Sequence, residues 1–251
     1  MKFEKTDVWG FEHAIRGMRN PLESWGRSDS KWKGFCTECN DWVDESCSYD
    51  ACFNCCDQIK EFFIGKNDLE LMQKLIKAGS EHRKFMRQIM VSVDITAPLY
   101  WWKEFDTYKI GTVANSTSTM HKLASKPITM DCFEMGDFAD CELDDLLIGD
   151  VVKIGYTYTI SKIWEGLIKT LETLRQEYLA TKDKIYWKEL IRLLPESWLQ
   201  TRTVTMNYEN IFNMIHQREN HKLTEWSVNY IEWANSLPYS KELLYIERGG
   251  K

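Results

Sequence analysis

The sequence lacks any apolar run approaching the roughly 20 residues that a bilayer span requires. Runs such as Ala97-Pro98-Leu99-Tyr100-Trp101-Trp102 fall far short of it. The N-terminus, Met1-Lys2-Phe3-Glu4-Lys5-Thr6-Asp7, has neither the apolar stretch nor the small-residue cleavage site of a secretory signal. A cytoplasmic chain with reduced thiols and no membrane partner is therefore expected. Positive charge is scarce too: 32 Lys and Arg stand against 38 Asp and Glu, a formal net charge of -6. That balance excludes a general basic surface for duplex nucleic acid, but not the few local cations that a nucleotide phosphate needs. With five scattered prolines, no repeat and no low-complexity tract, nothing reads as an interdomain linker, and residues 1–251 are expected to form a single main domain.

What is present is a rich supply of core. Hydrophobic residues make up 43% of the chain, including 11 Trp, 11 Tyr and 11 Phe. Leu71, Leu75 and Ile76 recur at helical spacing between a cap at Asn67-Asp68 and a stop at Gly79. Ser80 is expected to cap a second helical stretch carrying His82, Phe85 and Ile89, and Val91 to Ile95 alternates like a strand. Pro98 opens a helix with Leu99, Trp102 and Phe105. Thr107 to Thr119 has no apolar stripe and reads as a loop of the kind that holds ligands. Further helices are predicted from the stripe Ile163, Leu167, Leu171, Leu174 and Tyr178, then over Tyr186 to Leu194, Met206 to Gln217 and Leu223 to Leu237. The fold class is α+β, helix-rich with a small central sheet. Helical spacing makes Trp101, Trp102, Trp226, Tyr230 and Trp233 core residues before stacking platforms. The acidic run Glu142, Asp144, Asp145 and Asp150 reads as a solvated face.

Residues 31–60 stand apart, because Cys36, Cys39, Cys47, Cys52, Cys55 and Cys56 crowd six of the eight cysteines into a stretch with little apolar periodicity. This is a cysteine-rich insertion. Cys36-x-x-Cys39 and Cys52-x-x-Cys55 have the spacing of a four-thiolate structural zinc site, in which two hooks close a tetrahedron of Zn–S bonds of about 2.3 Å. A redox C-x-x-C and a simple reduced loop are the alternatives.

In the C-terminal third, Leu194-Pro195, Thr205, Asn207, Asn213 and Arg218 stand without gaps at the intervals L-P, T-x-N, N and R of the flavin-dependent thymidylate synthase family, which the chain resembles. Glu225-Trp226 follows near that family's Q-W-E, one position displaced. Upstream, Glu81-His82 followed by Phe85 is similar to its E-H-x-x-F, and Ala97-Pro98 to the A-P that opens its next helix. The family signature R-H-R-x-x-S-x-N-x-x-S-x-R-Y is met only in part. Counting from Pro98 sets Thr107-Tyr108-Lys109 on R-H-R, Thr112 on the first S, Ala114 on N and Thr117 on the second S, whereas a shift of one aligns Asn115 and Ser118 with N and S.

The resemblance implies conversion of dUMP to dTMP by a homotetramer, with FAD as cofactor, methylene-tetrahydrofolate as carbon donor and NADPH as reductant. Reduction of a uracil ring drives negative charge onto its carbonyls, so a fixed cation beside them lowers the barrier. Arg218 takes that catalytic and substrate-binding role. His82, Lys109, Asn207 and Asn213 are the expected cofactor contacts, and Lys103, Thr117 and Ser118 the other substrate contacts. With Lys109 where the family has arginine, a point charge replaces a fork and binding should be weaker or differently shaped. Two other readings stand beside the enzyme: a degenerate or altered-specificity pyrimidine nucleotide-binding protein of the same fold, and a zinc-bearing interaction protein.

Overall fold

In a computed structural model of the chain, residues 1–36, 41–43, 60–136, 142–143 and 158–246 are described. In chain order the elements are β1 (Lys2–Trp9), α1 (Phe11–Arg19), β2 (Lys31–Cys36), β3 (Asp41–Val43), β4 (Lys60–Phe63), α2 (Lys66–Lys77), β5 (Met90–Pro98), α3 (Leu99–Phe105), β6 (Val113–Ser116) and α4 (Thr119–Lys122). There follow β7 (Glu142–Leu143), β8 (Tyr158–Thr159), α5 (Ile160–Thr181), α6 (Lys184–Arg192), β9 (Leu199–Asn207), α7 (Tyr208–Arg218), a π-helical turn Glu225–Tyr230, α8 (Ile231–Asn235) and α9 (Ser240–Leu243). One sheet has the order β1-β5-β9-β6, and β3-β2-β4 and β7-β8 form two more. The architecture is the expected α+β, helix-rich with small sheets. The chain crosses repeatedly between two compact units: residues 1–4, 94–107 and 114–203 make the first, and 5–93, 108–113 and 204–251 the second.

Several local expectations need correction. Thr107 to Thr119 contains a strand, β6, whose four residues are all exposed, so no apolar alternation betrays it. Met206 belongs to strand β9, and the helix begins at Tyr208. The 80s form a 3-10 turn, Arg83–Gln88, that follows His82 instead of a helix capped by Ser80. Gly65, not Asn67-Asp68, caps α2. Gly79 does stop that helix, with φ +108° and its N–H donating to the Ile76 carbonyl. The cysteine-rich insertion carries a three-stranded antiparallel sheet in which Lys31 pairs Phe63 and Gly34 pairs Val43. Cys36 ends β2, while Cys39, Cys47, Cys52, Cys55 and Cys56, like the acidic run Asp144, Asp145 and Asp150, lie outside the described residues.

In the second unit, Phe11, Ala14, Ile15 and Met18 recur at i, i+3, i+4 and i+7 and form the buried stripe of α1. The helix starts at Gly10, with φ +98°, where a Cβ would stand 2.1 Å from the Gln88 carbonyl oxygen, so only glycine fits. α1 packs on the 83–88 turn, which in turn packs on α7. Ile89, Tyr208, Ile211, Phe212, Ile215, Trp226, Tyr230 and Trp233 are buried, as the helical spacing of the aromatic residues requires. Asp68, fully buried on α2, is the polar centre: it accepts from Arg19 Nε at 2.6 Å, Ser28 Oγ at 2.7 Å, Ser30 Oγ at 2.6 Å and the Asp29 and Ser30 N–H groups at 3.1 Å. Burial alone would raise its pKa, but the Ser30, Ser28 and Arg19 hydrogen bonds together outweigh it and hold the carboxyl below its usual range.

In the first unit, Trp101 and Trp102 are buried, and Leu123, Ile128, Phe133, Leu171 and Leu190 form a core beneath the α5–α6 pair. Glu172 on α5 accepts from Arg175 Nε and Nη2, at 2.7 and 2.6 Å, and from the Ile128 N–H at 2.9 Å. Arg175 is the main reason that its carboxyl is pushed down to about 2.

Asp68→Ala leaves Arg19 as a buried, unpaired cation and should cost about 3–5 kcal/mol, read as a lower urea midpoint at unchanged slope. Glu172 binds its proton less readily in the folded than in the unfolded chain, so it contributes stability that is present above its ordinary value and lost as pH falls toward about 2. Thermal melts of Glu172→Gln should show a flatter loss of stability between pH 5 and 2 than the parent chain; parallel acid limbs would refute this.

Candidate functional site

The arrangement most capable of chemistry lies in the second unit, along α7. Asn207 caps that helix: its Oδ1 accepts the Asn210 N–H at 3.0 Å while Asn210 Oδ1 accepts the Asn207 N–H at 3.3 Å, a reciprocal box. Asn210 Nδ2 then donates to the Ile110 carbonyl at 2.7 Å. Beside it Gly111 sits at φ +79°, and a Cβ there would approach Asn207 Nδ2 and Asn210 Oδ1 to 2.8 Å. At the other end of α7, Arg218 Nε donates to Tyr108 Oη at 2.9 Å, and the same hydroxyl donates to Gln217 Oε1 at 2.9 Å. The segment 108–111 is thus tied to both ends of α7, eight residues or about 12 Å apart at 1.5 Å per residue.

This places the half-buried Arg218 guanidinium against two aromatic rings, 5.0 Å from the Trp226 centroid and 5.6 Å from that of Tyr108. The rings themselves meet edge to face at 6.2 Å. Tyr230 packs under Trp226, and burial, with Tyr108 and Tyr245 nearby, raises its pKa so that it stays a neutral hydroxyl donating to Met214 Sδ. The Nε hydrogen bond of Arg218 to Tyr108 and the two adjacent rings fix the position of this cation.

A second cationic group lies at the first turn of the same helix, around Glu209. The buried carboxylate of Glu209 accepts from Arg83 Nε at 3.2 Å and from Arg87, and the carboxylate in turn raises the pKa of Arg87. The Arg83 guanidinium also covers the Phe212 ring at 4.7 Å and donates to Asn213 Oδ1 at 3.4 Å. Two arginines therefore share one carboxylate, and Arg87 remains 56% exposed.

No protein-family model matches the sequence, and no curated protein matches it. Solved structures do. Flavin-dependent thymidylate synthase ThyX from Helicobacter pylori, complexed with FAD and dUMP, superposes with a TM-score of 0.59 at 15% identity over 98% of each chain. A second structure of that enzyme with FAD and dUMP gives 0.58 at 14%, again over 98% of each. The fold is that of the flavin-dependent thymidylate synthases. The UMP/dUMP methylase PolB from Streptomyces cacaoi, bound with 5-Br dUMP, shares it with a TM-score of 0.53 and 13% identity, over 96% of this chain and 94% of that one.

Within this thymidylate synthase-like fold the expected residues separate by unit. Arg218, Lys109, His82, Asn207 and Asn213 all belong to the second unit. Arg218 lies against Tyr108 and Trp226. Lys109, its chain neighbour Tyr108 apart, contributes an exposed side chain, as does His82 at the start of the 83–88 turn. The Asn207 oxygen is engaged as the helix cap and the Asn213 oxygen by Arg83. Lys103, Thr117 and Ser118 belong to the first unit. Lys103 is 69% exposed and reaches Glu196 Oε1 at 2.6 Å. The Thr117 N–H donates to the Thr201 carbonyl and its own carbonyl accepts from Gln200 Nε2, both at 2.9 Å. Ser118 caps α4 by accepting the His121 N–H at 3.1 Å.

Sequence reasoning passed over Arg83, Arg87, Glu209 and Gln217, and assigned no role to Tyr108. Arg202, over the Trp102 ring at 4.2 Å and bound to Asp106 Oδ1 at 2.7 Å, was missed as well. One signal was readable: Glu209 directly precedes an apolar stripe and stands one turn before Phe212, so a partner had to be found for its charge.

Gly111→Ala should push the Asn207–Asn210 box apart and cost about 1–2 kcal/mol, because it combines a positive φ with a close approach. Differential scanning calorimetry would check this. An unchanged melting temperature would mean that the loop is not tied to the cap.

Proposed function

We propose that the chain is an FAD-dependent methyltransferase that converts dUMP to dTMP, with methylene-tetrahydrofolate as carbon donor, NADPH as reductant and a homotetramer as the working form. The observation that carries this reading is the Arg218 guanidinium, which meets the family's pattern in the sequence and is fixed against Tyr108 and Trp226 in a chain with the thymidylate synthase fold. In the overall reaction the uracil C5–H bond is replaced by a C5–methyl bond. The one-carbon unit leaves the folate, a hydride equivalent comes ultimately from NADPH, and tetrahydrofolate and NADP are released.

The residues present fit FAD on charge and on donor type. Its diphosphate needs cationic donors, and Arg83 and Arg87, held on Glu209 with Glu81 also near Arg87, offer them. His82, Lys109, Asn207 and Asn213 would complete the contacts to its ring and ribityl chain. When bound, the reduced flavin supplies the hydride.

Arg218 binds the uracil and stabilises charge on its carbonyl oxygen as C5 is modified. Tyr108 acts through Arg218: its hydroxyl fixes the guanidinium edge and its ring one face. Lys103, Thr117 and Ser118 are the other substrate contacts of this proposal. Zinc on Cys36, Cys39, Cys52 and Cys55 would be structural and separate from this chemistry, and the whole chain would work as one thymidylate synthase-like domain.

The test starts with the visible spectrum of protein incubated with FAD and desalted, with zinc determined on the same sample. Retained flavin and dUMP-dependent turnover are expected, with UMP assayed in parallel. Arg218→Ala should reduce kcat/KM by about 10²–10³-fold and Tyr108→Phe, which keeps the ring but not the hydroxyl, by about 10-fold. A protein that takes up no flavin, or turnover indifferent to Arg218, would sink the proposal.

A further inference from the structure

In the first unit, Thr117 and Ser118 stand on a backbone that is tightly bound, although the hydroxyl groups it carries reach water. The Thr117 N–H donates to the Thr201 carbonyl at 2.9 Å and the Thr117 carbonyl accepts from Gln200 Nε2 at 2.9 Å, yet the Thr117 side chain is exposed. The half-buried Ser118 accepts the His121 N–H on Oγ at 3.1 Å and the Lys122 N–H on its carbonyl at 3.0 Å. Its hydroxyl proton is left to give. Thr119 Oγ1 takes a longer bond from Gln200 Nε2, at 3.3 Å. An exposed hydroxyl needs no scaffold to stay solvated, whereas a ligand contact needs a fixed backbone beneath it.

Gln200, 8% exposed, is that scaffold, and its amide can stand only one way. Arg202 Nε reaches Gln200 Oε1 at 3.0 Å, and a guanidinium only donates, so the amide oxygen faces Arg202 and the NH2 group faces Thr117 and Thr119. Turned over, the amide would set donor against donor and oxygen against the Thr117 carbonyl, in a side chain shut off from water. Arg202 is fixed in its turn: Nη1 donates to Asp106 Oδ1 at 2.7 Å and the guanidinium lies 4.2 Å over the Trp102 ring. The circuit closes at Trp102, whose buried indole N–H donates to the Gln200 carbonyl at 3.0 Å. Thr201, between Gln200 and Arg202, shares a hydroxyl hydrogen bond with Thr96 at 2.8 Å.

We propose that Gln200 and Arg202 are positioning residues for the nucleotide: Arg202 sets the orientation of the Gln200 amide, and that amide holds Thr117 and Ser118 in place as substrate contacts. Both act through the segment 117–119. The inference rests on the reading that dUMP is the substrate and that Thr117 and Ser118 touch it. Contacts of this kind, away from the reacting carbon, are made alike in the ground and transition states, so their loss raises KM and spares kcat.

Two measurements on the full chain test it together: hydrogen exchange over residues 117–122, read by mass spectrometry, and steady-state kinetics with dUMP. Gln200→Glu keeps an oxygen for Arg202 but puts an acceptor where the NH2 group stood. It should speed exchange of the Thr117, His121 and Lys122 amides by about 10-fold or more, with the α5 amides around Glu172 unchanged. The KM for dUMP should rise by about 10-fold while kcat stays within about 2-fold. Arg202→Leu removes the donor that orients the amide and should move exchange and KM in the same direction. It also stands in for Gln200→Glu should circular dichroism show that variant misfolded. Exchange at 117–122 that matches the parent chain in both folded variants would overturn the proposal. So would faster exchange with an unchanged KM, and in that case the assigned reaction survives. A parent chain that does not turn over dUMP would sink the assigned reaction and the positioning role with it.

Discussion

Everything near Arg218 depends on the two asparagines at the start of α7. Their reciprocal cap satisfies N–H groups that the first turn of a helix leaves open, and the spare nitrogen of Asn210 reaches across to the Ile110 carbonyl. A cap that would elsewhere only begin a helix here also fixes a loop, and Gly111 is the position at which the loop can lie close enough. Tyr108, three residues earlier, then falls within reach of the last turn of the same helix. Cap, loop and guanidinium form one mechanical chain in which the helix is the ruler.

The same unit handles buried charge in two ways. Asp68 is surrounded by donors and one arginine, a closed arrangement whose partners come from Arg19 and from residues 28–30. Glu209 has two arginines and leaves one of them facing water. The first consolidates the interior, while the second leaves cationic capacity at the surface next to His82. Burying an ion without partners would cost several kcal/mol, so each arrangement is as much a condition of folding as a contribution to a site.

Much of this was legible in the residues and some was not, for identifiable reasons. The helices α2, α3, α5 and α6 follow apolar stripes, and buried Trp101, Trp102, Trp226 and Tyr230 follow the same spacing. Arg218 was found by its interval from Asn207 and Asn213, which a fixed helical rise turns into a fixed distance. β1 and β6 escaped because strands with mostly exposed faces carry no alternation. β9, Leu199-Gln200-Thr201-Arg202-Thr203-Val204-Thr205-Met206-Asn207, places Gln200 and Arg202 on the same face as Val204 and Met206, so hydropathy does not mark the strand, and only the branched threonines at every second position do. The pairing of Arg83 with Glu209 joins residues 126 apart in sequence, and no local pattern distinguishes such a pair from two solvated charges.

β6 ends the sheet order β1-β5-β9-β6, and its sequence Val113-Ala114-Asn115-Ser116 is short and, past the valine, free of large apolar side chains. An outer strand offers a row of backbone groups to any passing strand, and long apolar ones recruit copies of themselves. A brief polar margin gives a newcomer little to grip. The loop-like composition that hid this strand from sequence reasoning is therefore what keeps the sheet from growing, so the same residues that look like a failure of β-propensity act as its boundary.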